Sequence, residues 1–135
     1  MMRTALRVAA LAAALCAPFA ARAQTVTGDV QVESSGGFVR IVLRLKEEVE
    51  SEVRTAGGIV VVSFKRPVDV GIEKLQHALP NIVGAARRDP DGRGFRIALI
   101  HKATVNSMAA GERLFIDLLP EKWTGLAPGL PKDVI

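Results

Sequence analysis

Shifted by 56 positions without gaps, the chain matches itself at Gly36/Gly92, Arg40/Arg96, Ile41/Ile97, Leu43/Leu99, Lys46/Lys102, Val49/Val105 and Ser51/Ser107. These are seven identities in the sixteen positions Gly36–Ser51, where ordinary residue frequencies give about one. Strand alternation by itself would set apolar residues against apolar residues, so the glycine, arginine and lysine matches carry the most weight. Two copies are too few for a solenoid. Two copies of a β unit, each with one apolar face, can bury those faces against one another. The fold expected is all-β: a small β-sandwich from two duplicated four-stranded units, with one short connecting helix. The segments Gly36–Ser51 and Gly92–Ser107 are expected to superpose as matching hairpins.

The period of the apolar residues agrees. Val26, Val30 and Val32 alternate until Ser34-Ser35-Gly36-Gly37, and Val39, Ile41, Leu43 and Leu45 then share one face. Period two over seven residues defines a half-buried strand. Val49, Ser51 and Val53 alternate with Glu48, Glu50 and Glu52, and after Gly57-Gly58 the continuous run Ile59–Phe64 suits a strand covered on both faces. Pro67 and the residues after it are read as leaving the sheet. Ile72, Leu75 and Leu79 have helical spacing within Gly71–Leu79, and Pro80 ends that helix. Four more strands are expected at about 82–88, 94–102, 104–109 and 113–119, with Asp89-Pro90-Asp91-Gly92 as a turn. The Pro- and Gly-rich segment 121–135 reads as a linker or tail, with the character of a junction to a further domain.

Residues 1–23 have the form of a secretory signal. Arg3 and Arg7 precede an apolar run, and Ala21-Arg22-Ala23 supplies a small-x-small cleavage site before Gln24. The run breaks at Pro18, short of the ~20 residues a spanning helix needs. A lipoprotein site at Cys16 is disfavoured by bulky Leu15. Removing the three leader arginines lowers the 18 Lys and Arg of the chain to 15, against 14 Asp and Glu. The net charge falls from +4 to about +1, and the case for a nucleic-acid partner falls with it. Cys16 is the only cysteine, so the remaining 112 residues form one domain without disulfides. A soluble periplasmic product with no membrane span after cleavage is expected.

Gly37-Phe38-Val39-Arg40-Ile41-Val42-Leu43-Arg44-Leu45 and Arg113-Leu114-Phe115-Ile116-Asp117-Leu118 resemble the two signatures of the AMIN domain family. Those signatures are a glycine followed by an arginine-led apolar strand, and an R-L-V-I-D-L type closing strand. Gly94-Phe95-Arg96-Ile97-Ala98-Leu99 repeats the opening motif. The closing strand of the first copy, Ile59–Phe64, lacks both the Arg-Leu lead and the aspartate. The resemblance spans about residues 25–120. It implies a non-catalytic module of the kind that follows signal peptides in peptidoglycan amidases and secretins, where it binds peptidoglycan or localises its carrier.

The residues themselves offer little chemistry. His77 and His101 stand 24 positions apart without a zinc spacing. Neither catalytic residues, a metal site nor a cofactor is expected. Glu47, Glu48, Glu50 and Glu52 read as a solvated, edge-protecting face, and Ser51, Ser63 and Ser107 have no His-Asp context. Arginines are the more informative group. Arg87, Arg88, Arg93 and Arg96 bracket one predicted hairpin, and Arg40 and Arg44 occupy the matching arm of the other copy. Guanidinium groups engage carboxylates such as those of peptidoglycan stem peptides bidentately. The candidate ligand-binding residues are therefore Arg40, Arg44, Arg88, Arg93, Arg96 and Trp123, the last as a stacking platform or a plug for the open end of the sandwich. The expected partner is peptidoglycan, or alternatively an envelope protein docked by edge-strand pairing.

Overall fold

The computed structural model describes residues 24–134; the leader reading therefore lies outside the described residues. Nine strands and one helix follow in the order β1 (Val26–Ser35), β2 (Phe38–Leu45), β3 (Ser51–Ala56), β4 (Ile59–Phe64), β5 (Val68–Asp69), α1 (Lys74–Ala78), β6 (Val83–Arg88), β7 (Gly94–Leu99), β8 (Ala103–Ala110) and β9 (Arg113–Pro120). They form an all-β sandwich of two sheets. Sheet 1 has the order β5-β1-β2-β9-β8, and sheet 2 the order β3-β4-β7-β6.

The duplication is visible in this topology, in an interleaved form. Exchanging the halves sends β1, β2, β3 and β4 to β6, β7, β8 and β9, so β1-β2-β9-β8 becomes β6-β7-β4-β3, which is sheet 2. Each sheet takes one hairpin from each half; neither half makes a sheet alone. The 56-residue step also preserves register across the seam. Val39 lies opposite Leu118 in sheet 1, and their images Phe95 and Val62 lie opposite one another in sheet 2.

The repeat match ends where the chain changes sheets. Segment 36–51 is not a hairpin, because the chain crosses from sheet 1 to sheet 2 between β2 and β3. Ser51 opens β3 opposite Phe64, whereas Ser107 lies mid-strand in β8 opposite Ile116. The β7–β8 connection has three residues where β2–β3 has five, and this difference accounts for part of the drift. Val68-Asp69 leaves sheet 2 but adds a short parallel edge to sheet 1 beside Val26-Thr27.

Local sequence explains the elements. Gly36-Gly37 and Gly57-Gly58 close two-residue hairpins with positive φ at both positions, the primed turn geometry that matches strand twist. Gly94 is required for another reason: a side chain there would run into the Val62 carbonyl oxygen of the neighbouring strand. Helix α1 buries Leu75, flanked by buried Ile72 and Leu79, and packs against β6 and β1. It covers one side of the sandwich, where the two sheets would otherwise gape. Ile41, Leu43, Ile97, Leu114 and Ile116 meet in the common core.

Leu43 is fully buried, so Leu43→Ala should destabilise the fold by about 2–5 kcal/mol, read from urea titration. The interleaved hairpins predict more. Fragments 24–70 and 71–135 should each be unfolded alone, since β2 and β4 would lack their partners, and should regain β-sheet circular dichroism only when mixed.

Candidate functional site

The two outer faces are quasi-equivalent, and their chemistry has diverged. Across the middle of sheet 1 runs the row Glu33–Arg40–Asp117–Asn106, each residue directly opposite the next. Arg40 Nε donates to Asp117 Oδ1 at 2.7 Å and Nη2 donates to Oδ2 at 2.9 Å. This is a bidentate pair whose carboxylate is 0% exposed. Nη2 also donates to the Gly129 carbonyl at 2.7 Å. The guanidinium carbon sits 5.5 Å from the Phe38 ring centre and 5.3 Å from that of Phe115, placing the cation between two aromatic faces. The hydrogen bonds that Arg40 donates to Asp117 raise its pKa above the ordinary value, outweighing the opposite push of burial.

What covers this row is the C-terminal segment. Trp123 meets Phe38 edge-on at 5.6 Å, Gly129 caps Arg40, and Asp133 pairs with Arg113 at 3.2 Å. The contacts run from the end of β9 back towards its start, so the chain doubles over the sheet as a strap. Val42, Phe115 and Leu119 lie on this face, away from the main core, and are nevertheless buried. The segment from Trp123 to Asp133 thus lies on the sheet, held at Trp123, Gly129 and Asp133.

Sheet 2 presents the image of that face uncovered by the strap. One row is Ala85–Ala98–Ile59–Ala56 and the next is Arg87–Arg96–Val61–Arg54, read from β6 through β7 and β4 to β3. A third row holds Gly94, Ser63 and Glu52. Arg96 is the repeat image of Arg40, but Val61 stands where Asp117 stands in sheet 1. The three arginines lie within one row about 14 Å wide, at the usual spacing of neighbouring strands. Val61 is only 8% exposed although it points away from the core, consistent with flanking arginine stems lying over it. Arg96 pairs with Asp89 at 3.3 Å and Arg54 with Glu52 at 3.7 Å, all through exposed or half-exposed groups. Arg87 has no ion-pair partner among the described residues.

The expected site residues are therefore dispersed. Arg40 is corrected: buried and neutralised by Asp117, it is a structural cation and offers nothing to an external anion. Trp123 lies near it, on the outer face of sheet 1 and not at the open end of the core. Arg44 is exposed on that same face, opposite Asp29 and Arg113. Arg88 turns to the flank and pairs with Asp69 at 3.2 Å. Arg93 pins the β6–β7 turn, its amide donating to Asp91 and its guanidinium to the Lys65 carbonyl. Of the six, only Arg96 stands in the basic row. Arg54 and Arg87 complete it. Alternation along β6 separates Arg87 from Arg88, but Arg54 joins them only through the pairing of β4 with β7, which no local pattern announces.

His77 and His101 are both exposed. Among the described residues no group of three or more His, Cys, Asp or Glu side chains is placed to hold a metal ion, and no helix is long and apolar enough to cross a membrane.

Fold and site together define a β-sandwich module with one self-covered face and one open face crossed by arginines. No family model and no curated protein matches the chain. Among solved structures it is similar to heat shock protein 16.0 from Schizosaccharomyces pombe, at 15% identity over 86% of this chain and 82% of that one, with a TM-score of 0.36.

Because removing one partner strands a buried charge, Arg40→Ala and Asp117→Ala should each cost about 3–5 kcal/mol in urea unfolding. Replacing both by apolar residues of similar volume should recover most of that loss.

Proposed function

We propose that this protein is a non-catalytic cell-envelope module that binds peptidoglycan through the open face of sheet 2, or localises a carrier by that contact. The observation that carries the reading is the row Arg87–Arg96–Val61–Arg54. Arg87 and Arg96 are set directly opposite one another, an arrangement that like charges disfavour unless an anion lies between or above them. Beside them runs the apolar row Ala85–Ala98–Ile59–Ala56, in which Ile59 is 36% exposed. Peptidoglycan stem peptides combine these two chemistries, free carboxylates and short apolar side chains. Exposed guanidinium groups can hold the former bidentately while the alanine row packs on the latter. The resemblance of the Gly37–Leu45 and Arg113–Leu118 segments to AMIN signatures supports the same ligand class, and the signal-like leader supports a periplasmic address.

The second reading, docking onto an envelope protein by strand addition, is supported by a different feature. Edge strand β8 carries no charge and is eight residues long, so its free backbone groups are poorly defended against pairing.

Retention of the protein on insoluble peptidoglycan sacculi tests the first reading. Binding should fall as ionic strength rises, because exposed charges are screened over about 10 Å at 0.1 M salt. Arg87→Ala/Arg96→Ala should weaken retention by roughly 5–30-fold, the equivalent of about 1–2 kcal/mol, with little change in thermal midpoint. Arg44→Ala, on the strapped side of the sandwich, should bind as the parent does. Equal retention of all three proteins at low salt would remove the basic row from recognition.

A further inference from the structure

The four sheet edges are not equally protected. Edge β5 has two residues. Edge β3 carries Glu52 and Arg54, and edge β6 carries Arg87 and Arg88 and is irregular between Val83 and Ala85. Charge, shortness and bulges are the usual means of blunting an edge. Strand β8, Ala-Thr-Val-Asn-Ser-Met-Ala-Ala, has none of them. It pairs with β9 on one side over its whole length. Among the described residues its backbone makes no hydrogen bond on the other side. A row of free N–H and C=O groups is complementary to another strand and to little else.

From these features we infer that the protein forms a symmetric dimer by antiparallel pairing of β8 with β8 of a second copy. An isologous contact sets each residue against its own symmetry partner, so a strand bearing charges of one sign repels its copy. The uncharged β8 has no such penalty. With Asn106 on the twofold axis, the two carboxamides face each other, each able to donate N–H to the other's oxygen. Thr104 then lies opposite Met108 of the second copy on the outer face, and Val105 opposite Ser107 on the inner face. Strand β3 lies beside β8 on this side of the sandwich. The same axis brings the two β3 strands to the same side of the dimer, and because β3 carries one glutamate and one arginine they present no excess of like charge to one another.

The contact joins two five-stranded sheets into one of ten strands. Because the axis is normal to that sheet, both copies of sheet 2 lie on the same side of it. Both arginine rows then face one way, an arrangement able to engage a repetitive polymer at two points with a corresponding gain in avidity.

Sedimentation equilibrium of the purified protein across micromolar to submillimolar concentrations decides the matter. The parent protein should sediment as a dimer. Thr104→Lys/Met108→Lys, which places lysines opposite lysines, should weaken the dimer by about tenfold or more. Thr104→Lys/Met108→Glu disturbs the same two positions but places lysine opposite glutamate, and it should remain dimeric. A monomeric parent protein overturns the proposal whatever the variants do. A dimer that survives the double lysine change uses another surface, and a monomeric Lys/Glu variant rules out this register. Sacculus binding by a monomeric parent would leave the basic-row reading intact, so the two proposals fail separately.

Discussion

Two antiparallel seams hold the halves of the chain together: β2 with β9 in sheet 1, and β4 with β7 in sheet 2. Everything else depends on them. The hairpins β1–β2, β3–β4, β6–β7 and β8–β9 each close locally through short turns, but each leaves one strand edge open towards the centre of its sheet. Only the opposite half of the chain fills that edge. Contacts such as Ile41 with Ile116 and Val60 with Ile97 therefore link residues far apart in sequence, and loop closure over those distances must precede any gain from them. The core that follows is common to both halves and cannot be divided between them.

The same arrangement explains how one module came to have two unlike faces. In sheet 1 Asp117 stands beside Arg40 and neutralises it through a bidentate pair, with Glu33 opposite on the other strand. In sheet 2 the quasi-equivalent residue is Val61, and Arg96 is left to pair at the rim with Asp89. A buried ion pair is tolerable only when its remaining hydrogen-bonding capacity is met, and the Gly129 carbonyl and two aromatic rings help meet it. The aspartate and the strap thus form one device. Without the aspartate the arginine stays in water, as it does on the other side.

Much of the fold was legible because strand alternation is a local signal. The faces of β2, β4, β7 and β9 follow from residues two apart, and the duplication follows from the glycine, arginine and lysine matches. The site was less legible, for a physical reason. Whether an arginine on a strand is free or consumed depends on which residue lies opposite it, and Asp117 is 77 residues from Arg40. Arg40 and Arg96 occupy identical places in the repeat, yet one is buried and the other open. Arg54 carries no local signal, because β3 begins at Ser51, later than its acidic neighbourhood suggests, and because its place in the basic row depends on a cross-half pairing. The tail follows the same logic: proline and glycine exclude regular structure, but they do not prevent a chain from lying flat on a sheet.

The path of the strap also has a bearing on orientation. It leaves β9 near Phe38, crosses Arg40 and reaches Arg113, so Asp133 lies on the sheet 1 side of the sandwich. The arginine row occupies the far side. A tether, fluorophore or solid support attached beside Asp133 would therefore hold the module by its back, with the arginines turned outward and unobstructed. Immobilised in this way on a sensor chip, every molecule would present the same face to the solution.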